Sequence, residues 1–327
     1  MTQDSDILFT TENNPAPDDV TAGHFTGHGG IRLRYAVCRA AVSIAKGTVV
    51  IVQGRNECIE KYYETIRALN DQGLWVAIFD LRGQGGSDRV TKDPSKGHVH
   101  RFSDYCRDLE LFLEQVVLPD TRLPFFLLAH STGGLIALDM APRLANRIDR
   151  MAVTAPFVGL APQPLSAGKI FWLTRLLSWT GLGLTQLQKR RAETFDDNPV
   201  TSDPQRYARN RAIIVEHPQL DIGPPTARWI YECLKAMGRV LTPAHLYAIT
   251  VPTIVIAPVR DTVVSFPAQE WMSQYFRASR FIPIAGSRHE ILQEQERYRA
   301  QAMAAIAAFF PGSDPEGQAQ KMLEADA

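Results

Sequence analysis

The chain has 327 residues, 45% of them hydrophobic, enough to bury a substantial core. Its 35 Lys plus Arg are matched by 35 Asp plus Glu, so no global field draws it to nucleic acid and no such partner is expected. Four scattered cysteines, Cys38, Cys58, Cys106 and Cys233, form no CxxC and no metal-ligand spacing, which points to reduced thiols in a cytoplasmic setting and to no metal site.

In chain order, residues 1–21 are polar, lack a basic-then-apolar leader and read as a disordered lead. An alternating stretch near 23–38, broken at HGG, predicts an antiparallel hairpin at a sheet edge. Apolar runs at 47–54, 74–83, 124–131, 149–157, 252–259 and 279–286 predict strands, and the segments between the early ones carry helical spacing. That alternation implies an α/β fold: a mostly parallel central sheet with helices on both faces. It lapses between about 160 and 248, a Trp- and Leu-rich stretch opening at Pro162 and Pro164. The lapse divides the core into 22–159 and 249–310 around an inserted helical cap at 160–248, and 311–327 reads as a disordered tail. No run of 18 apolar residues is present to span a membrane.

The stretch LLAHSTGG (127–134) runs from a strand into a helix with Ser131 at the bend. A serine hydroxyl becomes a nucleophile only when a base takes its proton and an acid steadies that base. In α/β-hydrolases the serine sits on a tight G-x-S-x-G turn, and here Ala129 stands in the first glycine position. The triad order in that fold is serine, acid, histidine. Asp261 lies just beyond the strand at 252–259 and His289 just beyond the strand at 279–286, both on the sheet edge where open α/β folds bind ligands. The plainer readings are a serine that caps its helix, an Asp261 that closes a turn and a His289 that caps the last helix. His130 reads as structural, pointing into the fold. An oxyanion hole needs two backbone N–H donors. The Thr132 N–H follows the nucleophile, and Gly54-Arg55-Asn56 supplies the other, taken as the Arg55 N–H with its side chain free to meet an anionic head group. A plain strand-end turn is the alternative there.

The stretches QGRNECIEKY (53–62), DLRGQGGSDR (80–89), GHVHRFSDYCRDL (97–109), LLAHSTGG and TAPF (154–157) resemble the monoglyceride-lipase and lysophospholipase group of α/β-hydrolases. Within it, NPVTSDPQRYARN (198–210), IGPPTARWIYE (222–232) and RHEIL (288–292) are most similar to the bacterial inner-membrane lysophospholipases. The resemblance covers about residues 22–310. It implies a triad of Ser131, Asp261 and His289, oxyanion donors at Arg55 and Thr132, and no cofactor. Gln53 departs from the histidine that monoglyceride lipases carry, which weakens monoacylglycerol as the substrate.

In the cap, GKIFWLTRLLSWTGLGL (168–184) presents Trp172, Leu176 and Trp179 as candidates to line an acyl slot, to rest on a membrane interface, or simply to pack the cap. Lys189, Arg190 and Arg191 form either a solvated face or a site for anionic lipid. Arg206, with Arg209 and Arg211, has the fork that suits phosphate. The sequence therefore predicts a serine hydrolase for the acyl ester of lysophospholipids or similar single-chain lipids, cytoplasmic and peripheral on the inner face of the membrane. The rivals are a monoacylglycerol lipase or carboxylesterase, a proline-type aminopeptidase using Glu193, Asp196 and Asp197, an acyltransferase, and a non-catalytic lipid-binding protein.

Overall fold

The computed structural model describes residues 7–188 and 194–311. Its strands, in chain order, are β1 (Val20–Thr26), β2 (Arg32–Cys38), β3 (Thr48–Val52), β4 (Trp75–Phe79), β5 (Phe125–His130), β6 (Arg150–Thr154), β7 (Thr253–Pro258) and β8 (Ser279–Ile284). They form one sheet in the order β1-β2-β4-β3-β5-β6-β7-β8. The β1–β2 hairpin is antiparallel and so is the β2–β4 pair. Every pair from β4 to β8 is parallel.

Strands buried on both faces read as continuous apolar runs. In β3, Val50 and Val52 enter one core cluster with Phe79, Leu127 and the helices Phe102–Phe112 and Thr132–Leu144. Val49 and Ile51 enter the other, with Ile78, Phe126 and the helices Tyr63–Asn70 and Glu296–Phe309. The two-residue period of a strand makes this division. The chain turns from β3 to β4 on one side and from β4 to β5 on the other side of β3. The crevice above the C-terminal ends of β3 and β5 is thus the switch point at which open α/β sheets take ligands.

Between β6 and β7 stand the helices Ala167–Trp179, Pro204–Glu216, Ala227–Val240 and Pro243–Ala248. Each starts on a side-chain cap, from Ser166, Asp203, Thr226 and Thr242 respectively. The expected cap at 160–248 is joined to the core along its C-terminal part. Trp229, Cys233, Ala236, Met237, Val240 and Leu246 all join the first core cluster, and the helix Ala227–Val240 packs on Phe102–Phe112 and Thr132–Leu144 as well as on Ala167–Trp179. A lapse in strand alternation cannot tell a core helix from a cap helix.

The lead needs correction. Leu8 is buried in the second core cluster, the Phe9 N–H donates to Glu60 Oε1 (3.2 Å) and Asn14 Nδ2 donates to the Glu60 carbonyl (2.9 Å). The short apolar run at 7–9 anchors a stretch whose overall polarity suggested disorder. The tail beyond residue 311 lies outside the described residues.

Candidate active site

Ser131 follows the last residue of β5 and precedes the helix Thr132–Leu144. Its backbone has φ 50° and ψ −114°, a sparsely populated conformation that costs roughly 1–3 kcal/mol. The bend is held from several sides. The Ser131 N–H donates to the Thr154 carbonyl (3.0 Å), and the Ser131 carbonyl accepts from Phe157 (2.9 Å) and Leu135 (3.1 Å). A Cβ on Gly133 would overlap the Val52 carbonyl oxygen, and one on Gly134 would lie 2.9 Å from Pro156 Cα. The small residues after the serine are therefore demanded by close backbone approach, while the methyl of Ala129 is accommodated, fully buried. The Ser131 hydroxyl makes no capping bond to its helix, which removes the helix-cap reading.

His289 Nε2 lies 3.0 Å from Ser131 Oγ, and His289 Nδ1 lies 2.7 Å from Asp261 Oδ2. An ionised carboxylate only accepts, so Nδ1 carries the proton and Nε2 is left to accept from the serine hydroxyl. Asp261 serves two purposes. Its Oδ1 accepts the N–H groups of Val263 (2.7 Å) and Val264 (2.9 Å), closing the turn after β7, while Oδ2 is given to His289. Burial pushes this carboxyl up, but the His289 contact and the two N–H donors outweigh burial and hold it below its ordinary value. His130 Nδ1 lies 3.0 Å from Thr154 Oγ1.

Thr132 opens its helix, so its N–H has no intrahelical acceptor and sits at the positive end of the helix dipole. The loop after β3 is pinned on both sides of Arg55. The Gly54 N–H donates to Glu57 Oε2 (2.5 Å), the Asn56 N–H donates to Gln84 Oε1 (3.2 Å), and Gln84 Nε2 donates to the Gly54 carbonyl (2.8 Å). A Cβ at Gly54 would meet Glu57 Oε2 at 2.8 Å and His130 at 3.1 Å. The Arg55 side chain is not free, contrary to expectation. It stacks over Trp229 at 5.5 Å, its Nη2 donates to the Gly223 carbonyl, and burial lowers its pKa to about 10. Gly97 admits it, since a Cβ there would lie 2.6 Å from Nη2.

A cavity of about 760 Å³ is lined by Ser131, His289, Arg55 and Thr132 together. Apolar side chains of its wall include Leu160, Ile170, Leu173, Ile213, Ile230 and Leu234. Polar ones include Glu57, Lys61, Asn210, Arg211 and Glu290. Trp172, Leu176 and Trp179 do not line it. Along the helix Ala167–Trp179, Ile170 and Leu173 reach the cavity wall, Leu173 still 41% exposed, whereas positions 172, 176 and 179 share another face and are 62%, 54% and 87% exposed. Arg206 is also absent from the wall. It donates to both Glu64 oxygens, to the Glu294 carbonyl, to Asp203 and to Glu296, tying the insert to the core. Asp196 and Asp197 line no part of the cavity; Glu193 and the Lys189–Arg191 run lie outside the described residues.

Sequence reasoning passed over a buried charge cluster on the wall. Lys61 Nζ lies 2.8 Å from Glu57 Oε1 and 2.6 Å from Glu290 Oε1. Burial pushes the Glu57 carboxyl up, but Lys61 and His130 bring it down to about 2. The signal was available, since Glu57 and Lys61 are four residues apart on the turn after Arg55 and Glu290 follows His289.

Residues 43–296 match the family model described as serine aminopeptidase, S33. Lysophospholipase L2 of Escherichia coli is 33% identical over 305 residues, covering 88% of this chain and 86% of that protein. A probable lysophospholipase L2 of Haemophilus influenzae is 27% identical over 288 residues, covering 88% and 91%. A soluble variant of monoglyceride lipase from Saccharomyces cerevisiae, solved with a substrate analogue, matches with a TM-score of 0.71 at 19% identity, over 90% of this chain and 95% of that one. At that identity the likeness speaks to the fold. Sheet order, strained turn and sequence agree: the chain belongs to the serine aminopeptidase S33 family of α/β-hydrolases.

Proposed function

We propose that this chain is a serine hydrolase that cleaves the acyl ester of a lysophospholipid, or a related single-chain lipid ester, through an acyl-enzyme. The observation that carries the reading is the line of contacts from Asp261 through His289 to Ser131, opening onto a cavity whose wall is apolar and polar in turn. Such a wall suits an amphipath with one acyl chain, and the E. coli and H. influenzae relatives bear the name lysophospholipase.

In this mechanism His289 Nε2 takes the Ser131 proton as Oγ attacks the ester carbonyl, and Asp261 stabilises the imidazolium. The Thr132 and Arg55 N–H groups receive the charge that develops on the carbonyl oxygen. Collapse breaks the acyl C–O bond, and the imidazolium proton leaves with the head-group alcohol. Water then gives a proton to His289 and attacks the acyl carbon, and a second collapse releases the fatty acid and restores Ser131. An aminopeptidase would need a carboxylate for the substrate ammonium; of the described wall carboxylates Glu57, Asp221 and Glu290, the first and last share Lys61.

We also infer peripheral contact with the inner face of the membrane through Trp172, Leu176 and Trp179, which stand exposed on one helix face. No helix among the described residues is long and apolar enough to cross a membrane.

The test is fatty-acid release from lysophosphatidylethanolamine and monoacylglycerol by the wild type and Ser131→Ala. A preference for the phospholipid and a loss of about 10⁴-fold or more in the variant are expected. Preference for monoacylglycerol overturns the substrate, retained activity in Ser131→Ala overturns the mechanism, and cleavage of neither lipid overturns both.

A further inference from the structure

Among the described residues, three Arg or Lys side chains line the cavity that holds Ser131: Arg55, Lys61 and Arg211. Two are already partnered. Arg55 lies over Trp229 and donates to the Gly223 carbonyl, and Lys61 sits between Glu57 and Glu290. Arg211 is exposed and has no hydrogen bond, ion pair or ring partner among the described residues.

The helix Pro204–Glu216 explains the difference. Tyr207, Asn210, Arg211 and Ile214, spaced i, i+3, i+4 and i+7, share the face that lines the cavity. Arg206 and Arg209 lie off the wall, where both hold Glu64. Two arginines therefore fasten the helix to the core and the third is presented to the cavity. Beside it on the wall is Asn210, whose Oδ1 is buried with no donor among the described residues. A guanidinium without an internal acid, on the wall of a lipid-sized cavity, has the planar two-pronged donor geometry that fits phosphate oxygens.

We propose that Arg211 receives the phosphate of the lysophospholipid head group and is the residue that selects a lysophospholipid over a monoacylglycerol. The inference rests on the ester-hydrolase reading of the site and specifies which wall reads the head group.

The experiment compares kcat/KM for a short-chain lysophosphatidylethanolamine, kept below its micellar concentration, with that for a monoacylglycerol of the same chain. Wild type, Arg211→Gln and Arg211→Lys are used. The phospholipid-to-monoacylglycerol ratio is expected to fall at least about tenfold in Arg211→Gln, through KM, and to recover in part in Arg211→Lys. Glycerol 3-phosphate should compete in the wild type and more weakly in Arg211→Gln. An unchanged ratio overturns the proposal. So does equal inhibition by glycerol 3-phosphate, or a fall seen only with substrate in anionic vesicles, which would make Arg211 a reader of lipid surfaces. A flat ratio with an active wild type and an inactive Ser131→Ala defeats this inference alone. A wild type that cleaves neither lipid defeats the hydrolase reading beneath it.

Discussion

Next to Ser131, the His130 ring is turned onto Thr154 and burial holds its pKa down to about 4. In the unfolded chain the same ring titrates near 6.5, so between these values the unfolded state binds more protons than the folded one. Stability is thus complete above about pH 6.5, falls as pH drops toward 4 and levels off below it. The contribution of one such histidine is at most about 3 kcal/mol. His98, also brought to about 4 by burial first and by its neighbour His100 second, acts over the same window. Replacing His130 by Asn should flatten the pH dependence of the urea midpoint between pH 4.5 and 6.5, and an unaltered slope would sink the assignment. Gly133 offers a second test at this scale. Because the atom in the way is the backbone oxygen of Val52, Gly133→Ala cannot be relieved by a side-chain rotation, and a loss of about 1–3 kcal/mol in thermal unfolding is expected.

Among the elements, the root of the insert and the loop that carries His289 form one unit. Glu294 Oε1 accepts the Arg288 N–H (2.8 Å), and its Oε2 accepts the Ser202 N–H (3.0 Å) and hydroxyl (2.6 Å). The Glu290 N–H donates to the Val200 carbonyl (2.8 Å), and Arg288 Nη1 reaches the carbonyls of Asn198 (2.9 Å) and Thr201 (3.0 Å). Segment 198–202 therefore supports His289, the proposed base, on both flanks. Glu294→Gln places an amide where two carboxylate oxygens accept, so one set of donors loses its partner. A misplaced base lowers turnover more than binding. We expect kcat to fall about tenfold with KM nearly constant; a change confined to KM would mean that this contact shapes the cavity and leaves the base alone.

For the whole molecule, the insert presents Trp172, Leu176 and Trp179 outward while Ile170 and Leu173 line the cavity. The proposed membrane contact and acyl-chain wall would thus fall to two faces of one helix. Changing Trp172 and Trp179 together to Ala should release the protein from sedimenting vesicles of anionic lipid at low salt. Fatty-acid release from monomeric substrate should change far less. A double variant that sediments like the wild type would count against membrane contact through this face.

The sequence by itself determined the alternation of apolar runs that become a doubly covered sheet, because strand period and burial on both faces are local properties of the chain. It also placed Ser131, Asp261 and His289 at strand ends, since chain order and strand length are enough for that. Only the tertiary structure decided which of the insert's side chains look inward. A Trp on a helix reads the same whether it faces lipid, solvent or substrate, and Arg206 reads the same as Arg211. What separates them is Glu64, a residue 142 positions before Arg206, whose carboxylate meets the helix only after the chain has folded. The fate of the Arg55 side chain was likewise settled by Gly223 and Trp229, brought over it by an insert that local pattern cannot orient.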